Sequence, residues 1–301
     1  MPDESTHSSS SRKPQIRRFA LSTVIIAAGF ILPLWKLANF ALHDELFSYI
    51  LLIPFTSLYL ARLLENQLPA VSLPAKKWAA VFFICGIGAV AGHFLWPGST
   101  VPDRLAWPML AFVLLVTGAG CLFLGGAIMR VLAFPFSLLI FMVPFPDALR
   151  MGIETWLQDL SADAASWMFA LAGTPVYHDN LVFQLPDITL QIAPECSGIH
   201  SSLVLLIVSL VAGHLFLRHP IKQALLSLAV IPLGFLRNGF RVFVLGELCM
   251  HIGPRMIDSP IHHRGGPIFF VVSLIPFSLL LYFLMKSERP KVSGPTISAG
   301  V

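Results

Sequence analysis

The sequence predicts an all-α polytopic membrane protein of about eight transmembrane helices, with a small extracytoplasmic α/β insertion before the sixth. Three observations carry that expectation. Of the 301 residues, 56% are hydrophobic and only 12% charged, about half the charged share of a soluble domain. The apolar runs are too long and too numerous for the buried helices of a soluble core. Lys and Arg occupy alternate connections between those runs, as in a chain threaded back and forth across a bilayer.

The first 18 residues, "MPDESTHSSSSRKPQIRR", form a polar, basic tail. No small-residue cleavage site follows its apolar run, so an uncleaved anchor is expected. Spans are expected near 19–36, 46–63, 78–96, 105–124, 131–146, 197–216, 223–243 and 267–285. The fifth, "FPFSLLIFMVPFP", is short and interrupted by prolines, so it should be tilted or broken. Together these form a transmembrane domain over 19–285, followed by a C-terminal tail over 286–301.

Basic residues assign the sides. Arg12, Lys13, Arg17 and Arg18 precede the first span; Arg62, Lys76 and Lys77 lie between the second and third; Arg130 lies between the fourth and fifth. Arg218 and Lys222 separate the sixth from the seventh, and Lys286, Arg289 and Lys291 follow the eighth. Both termini are therefore expected in the cytoplasm. Arg104 and Arg150 break the pattern, each with an aspartate nearby. The net charge of +4 is spread over these connections, so it is read as topology and no nucleic-acid partner is expected.

The long segment 147–196 then falls outside the cytoplasm. Its first part spaces Met151, Ile153, Trp156, Leu160, Ala164, Met168 and Leu171 at helical intervals with Glu154, Asp159 and Asp163 between them. This predicts a helix in the interface or packed on the bundle. The following "VYHDNLVFQLPDITLQI" alternates apolar and polar residues around turn-forming triplets, predicting a small hairpin or meander.

Three stretches interrupt the apolar pattern with reactive side chains: "PECSGIHSS", "GFLRNGFRV" and "SPIHHRGGPIFF". On the charge-derived topology each lies at the outer end of a span, where the three can meet. Cys85 and Cys121 sit inside apolar runs and read as small hydrophobes, and the irregular spacing of the four cysteines indicates neither a zinc site nor a disulfide framework. Cys196 differs, because it stands at a predicted helix N-terminus, where the dipole favours a thiolate. Ser197 and Gly198 after it leave the backbone N–H groups approachable. Arg241 would supply a fixed positive charge to a thiolate or oxyanion, and His262 a proton donor and acceptor near neutrality. Such a set is suited to acyl transfer, with no metal and no cofactor expected. Arg237 taken alone reads as a snorkelling interface anchor. His200, one turn beyond Cys196, is expected to orient or pack. Asp44, Glu45, Ser48 and Tyr49 read either as a substrate entrance or as a helix cap.

The motifs "ECSGIHS", "NGFR" as Asn-x-x-Arg, and His262 to Gly266 as His-x-x-x-Gly resemble those of the exosortase/archaeosortase family of membrane-embedded cysteine transpeptidases, over most of residues 40–285. The resemblance implies Cys196 as nucleophile, Arg241 as its cationic partner and His262 as acid/base, with His263 the rival for that role. It implies supporting positions at Ser197, Gly198, Asn238, Arg237 and Gly266. It further implies exported protein substrates ending in a short motif, a transmembrane helix and a basic tail, with an acceptor nucleophile still to be identified. A polytopic transporter and a non-catalytic scaffold for envelope or polysaccharide assembly are the alternative classes.

Overall fold

A computed structural model describes residues 4–70, 72–96, 98–185, 189–192, 198–253, 255–256 and 266–288. Cys196, Ser197, His262 and His263 lie outside them. The described chain is helical apart from one small sheet, and it divides into two compact units, Met1–Arg150 and Met151–Val301. Six helices are long and apolar enough to cross a membrane, and up to eight spans result if each of two broken helix pairs counts as one. This is an all-α, multi-pass membrane protein.

In the first unit, α1 (Glu4–Gly29) and α2 (Ile31–His43) share the run expected as one span, bent by 76°. Pro33 lacks the N–H that would bond the Gly29 carbonyl, so the helix breaks there. A short 3₁₀ turn, Glu45–Leu52, leads into α3 (Ile53–Leu63). Asp44 caps that turn by accepting from the Leu46 N–H at 2.9 Å, while Ser48, inside the turn, donates back to the Glu45 carbonyl at 2.9 Å. Tyr49 is buried.

Helix α4 (Lys76–Leu95) lies against α5 (Val101–Phe123) through small residues, as lipid-facing helices must when no hydrophobic drive separates protein from solvent. A methyl on Gly86 would stand 2.9 Å from Leu115, and one on Gly92 would stand 3.0 Å from the Trp107 ring. After the short α6 (Gly126–Val131), the expected fifth span, 131–146, is broken: it holds α7 (Ala133–Leu138), the 3₁₀ turn Leu139–Met142 and then non-helical chain. Val143 is extended, as a residue before proline must be. Arg150 pairs with Asp147 at 3.0 Å, whereas Arg104 donates to the Gly98 and Ser99 carbonyls at 3.0 Å.

The second unit contains most of α8 (Asp147–Ala172), then β1 (Tyr177–Asp179), β2 (Val182–Gln184) and β3 (Thr189–Gln191), an antiparallel meander in the order β1-β2-β3. Helices α9 (Ile199–Phe216), α10 (Pro220–Leu228), α11 (Val230–His251) and α12 (Gly266–Lys286) complete it. The seventh run is interrupted at Ala229, because Pro232 cannot bond the Leu228 carbonyl. It also continues to His251 instead of ending near 243, so the Arg237–Arg241 turn lies mid-helix and not at a helix end. The extra turns are packed: Val242, Phe243 and Met250 join Phe169, Phe183, Leu185, Leu190 and Ile192 in one apolar cluster that seats the sheet on α8 and α11.

Helix α8 buries a mixed face, polar as well as apolar, and turns several large apolar side chains outward. Met151, Trp156 and Leu171 point outward, while Glu154, Gln158 and Ser161 are buried with Ala164, Ala165 and Phe169. That buried face is narrow enough for α11 to approach it backbone to backbone. A methyl on Gly239 would stand 2.8 Å from Ala164 Cβ and 2.9 Å from the Ser161 carbonyl oxygen. At the opposite end of the unit, Glu288 accepts from the Arg218 and His219 N–H groups at 2.9 and 3.1 Å, with Lys222 at 3.8 Å. The basic turn before α10 and the basic end of α12 therefore share one end of the bundle, independently of the charge rule.

Two predictions follow from this packing. Gly239→Ala should cost about 1–3 kcal/mol, because the obstacle is backbone and cannot move aside. Gly88→Ala, with nothing within 4 Å of the added methyl, should be neutral or mildly stabilising. Thermal unfolding midpoints in one detergent compare them. The second concerns Glu288, whose carboxyl is held below the ordinary glutamate range first by the Arg218 N–H, then by the His219 N–H and by Lys222. Its folded pKa is depressed, so its contribution is present above the unfolded value of about 4.3 and is lost as pH falls through the lower folded value. The midpoint difference between wild type and Glu288→Gln should be present at pH 7 and shrink toward zero as the pH is taken well below 4.3.

Candidate active site

The cysteine motif enters the described structure at Gly198, which N-caps α9 with φ of 71°. A side chain there would be strained by that left-handed backbone, and its Cβ would stand 3.1 Å from Arg237 Nη2 and 3.5 Å from Asn238 Cγ. Glycine is thus required twice over, for conformation and for space. The Gly198 carbonyl accepts from the Ser202 N–H at 3.0 Å, from Ser201 Oγ at 3.1 Å and from Arg237 Nη2 at 3.2 Å. Three donors on one carbonyl, from two helices, fix the turn immediately after Cys196 and Ser197.

Arg237 reaches this turn because α9 and α11 cross at small residues, a methyl on Gly234 falling 2.6 Å from Ser202 Oγ. Its guanidinium also donates to Ser202 Oγ at 3.3 Å. Only 9% of the residue is exposed, so the reading of Arg237 as a snorkelling anchor is overturned. Burial in an apolar bundle is tolerated because the charge is shared over directed hydrogen bonds. Nη1 is buried and has no hydrogen-bond partner among the described residues. Asn238 is buried beside it, and Arg241, one turn further on the same helix, is half-buried. Two guanidinium groups one turn apart make this stretch of α11 strongly electropositive.

The third motif is described only from Gly266, which opens α12 and has nothing within 4 Å of the position a methyl would take. Its neighbour in the first turn, Phe269, meets Phe240 of α11 edge to face, with ring centroids 6.1 Å apart. Phe240 lies between Arg237 and Arg241, so the described parts of all three motifs converge on one stretch of α11. The two histidines and the cysteine themselves fall outside the described residues.

The upstream side of the cysteine segment is also held. Ile192 donates its N–H to the Leu181 carbonyl at 2.9 Å, and its own carbonyl accepts from Gln158 Nε2 of α8 at 3.2 Å. Gln158 is 5% exposed. Sequence reasoning passed over it. The available signal was the spacing of Glu154, Gln158 and Ser161, which places three polar residues on one face of a helix rich in apolar ones. Glu247, near the end of α11, accepts from Thr174 Oγ1 at 2.6 Å and pairs with His251 at 3.2 Å, bracing the entry to the sheet. Of the other cysteines, Cys85 is exposed on α4, and Cys121 and Cys249 are buried. Among the described residues no group of three or more His, Cys, Asp or Glu is placed to hold a metal ion.

No curated protein and no solved structure matches the chain. The transmembrane exosortase family model matches residues 35–279, a stretch that contains most of the helices, the sheet and all three motifs, and the chain therefore belongs to the transmembrane exosortase family.

Proposed function

We propose that this protein is a cysteine transpeptidase that cleaves C-terminal sorting signals from exported proteins at the extracytoplasmic face of the cytoplasmic membrane. Family membership supports a membrane transpeptidase role in general. The observation that carries the finer reading is the hydrogen bond from Arg237 to Gly198, which joins the last residue of the cysteine motif's CSG to the residue just before the Asn-x-x-Arg motif, across 39 residues of sequence.

The chemistry follows from the residue types. The Cys196 thiolate attacks the scissile carbonyl, forming a C–S bond and a tetrahedral oxyanion that Arg241 stabilises as charge develops. The C–N bond then breaks, His262 gives its proton to the departing amine, and a thioester remains on Cys196. An acceptor nucleophile, or water, attacks the thioester and passes a proton to His262, and the C–S bond breaks to return the thiolate. A substrate with a short motif, a transmembrane helix and a basic tail presents its scissile bond at the outer interface. Its tail is held on the cytoplasmic side, so attack becomes effectively intramolecular. The contact of the basic 218–222 turn with Ser287 and Glu288 supports placing those basic segments at one membrane face, and the charge rule assigns that face to the cytoplasm.

Co-expression of a tripartite-tail substrate with wild type or variants tests the proposal by immunoblot. Cys196→Ala and Arg241→Ala should insert normally and lose processing by at least 100-fold, the scale of losing a nucleophile or an oxyanion partner. His262→Ala should do the same while His263→Ala retains activity, and the reverse pattern would exchange their roles. Full processing by Cys196→Ala would reject cysteine catalysis and favour the transporter or scaffold classes.

A further inference from the structure

Basic residues gather at one end of each unit, and the fold treats the two sets differently. In the second unit Lys222 lies 3.8 Å from Glu288 and donates to Ser287 Oγ at 2.8 Å, while Glu288 also accepts from the Arg218 and His219 N–H groups. In the first unit Arg17 and Arg18 of α1, Arg62 of α3, Lys76 and Lys77 of α4 and Arg130 of α6 are all exposed. Among the described residues none of these side chains has an ion pair or a hydrogen bond, and α4 has no acidic residue in its first turn to offset its two lysines. The charge rule accounts for cations at both ends. It does not account for one set being neutralised and the other left open.

A knot of hydrogen bonds brings the open set together. Gln15 Nε2 of α1 donates to the Ser72 carbonyl at 3.0 Å, and Ser72 Oγ accepts from the Ala127 and Ile128 N–H groups of α6 at 3.0 and 3.4 Å. The Gly126 N–H donates to the Leu73 carbonyl at 3.0 Å, and the Ala75 N–H to the Cys121 carbonyl at 2.9 Å. Gly125, at φ of 85°, makes room for this turn, since a methyl there would run into Ser72 Oγ and the Leu73 carbonyl oxygen. Ala61 and Leu64, on either side of Arg62, pack with Phe19 on Leu124, Ile128 and Leu132. Four separate stretches of chain thus carry their cations to one rim. Large apolar side chains stand exposed between them: Ile16, Leu21, Leu63, Leu73 and Trp78.

We propose that this rim binds the headgroup phosphates of anionic phospholipids. Such a lipid joins an anionic phosphate to hydrocarbon, and the rim sets a cation directly beside an exposed apolar side chain at Arg17 and Ile16, at Arg62 and Leu63, and at Lys77 and Trp78. A soluble polyanion meets the charges and leaves the apolar side chains in water. A zwitterionic lipid covers the apolar side chains but brings its own ammonium next to the phosphate. The exposed indole of Trp78 belongs at headgroup depth, which puts Lys76 and Lys77 level with the phosphates. Clusters of Lys and Arg at the ends of membrane spans attract anionic lipid, and these cations have no partner to give up when a phosphate arrives.

The test is native mass spectrometry of full-length protein from nanodiscs holding equal amounts of phosphatidylglycerol and phosphatidylcholine, with the retained lipids counted. Wild type should keep phosphatidylglycerol in preference by about tenfold or more, and molar salt should bring the ratio below about twofold. Lys76→Gln/Lys77→Gln should lower the preference by about threefold or more, Lys76→Arg/Lys77→Arg should keep it, and Lys222→Gln, which removes a cation already paired, should leave it unchanged. Cys196→Ala should match wild type, since the cysteine reaction plays no part. The lipid and salt comparisons use wild type alone, so they decide even where a variant inserts poorly. Equal retention of the two lipids by wild type would overturn the proposal, as would a preference unchanged in Lys76→Gln/Lys77→Gln or lost as fully in Lys222→Gln. Binding of soluble poly-glutamate by wild type without any lipid preference would assign the rim to an acidic protein partner and overturn it too.

Discussion

The contact of α8 with α11 at Gly239 is the constraint on which the rest of the site depends. No side chain intervenes there, so the two backbones meet directly, with the Ser161 carbonyl and Ala164 as the floor. On either side of this contact Gln158 donates to the Ile192 carbonyl and Arg237 to the Gly198 carbonyl. It also seats the sheet, since Phe169 on α8 packs edge to face on Phe243 of α11 at 5.2 Å and against Phe183 of β2 at 5.8 Å. The apolar cluster thus holds β3 and Ile192 in place, and the helix that follows the cysteine segment starts from a turn that α11 itself fixes.

The energetics favour reading these polar groups as devices of geometry more than of stability. A buried hydrogen bond to a charged donor contributes about 1.5–3 kcal/mol net and a neutral one about 0.5–1.5 kcal/mol, which is offset in large part by the cost of taking each group out of water. Replacing the whole set by well-packed apolar residues would cost little. Removing one partner alone leaves a carbonyl or a guanidinium stranded in an apolar bundle. Such a network resists partial disruption and permits one arrangement, which suits a site whose reacting atoms must be placed to within a fraction of an ångström.

Much of this was legible in the sequence. The apolar runs and alternating basic connections marked the spans, proline placed the break in the fifth, and alternation of polar and apolar residues located the meander. The meeting of the "CSG" and "NGFR" motifs was expected from topology; among the described residues Gly198 accepts from Arg237, the residue just before the second motif. Other features were hidden because they depend on what a helix faces. Helix α8 turns Trp156 and Met151 outward and Glu154 and Gln158 inward, alongside buried Leu157 and Phe169, a mixed face that a soluble pattern does not reveal. Helix α11 runs past its expected end because the sheet, and not lipid, covers its last turns. Arg237 looked like an anchor because a sequence shows charge and not burial.

The central claim is that a thioacyl intermediate forms on Cys196. It is tested most directly by trapping that species. Full-length His262→Ala protein, incubated with a tripartite-tail substrate and quenched in acid, is digested and mapped by mass spectrometry. The account predicts a substrate acyl group on the peptide containing Cys196, labile to hydroxylamine and absent from Cys196→Ala/His262→Ala protein treated identically. An acyl adduct on any other residue, or processed substrate released by wild type with no thioester at Cys196 under any quench, would contradict it.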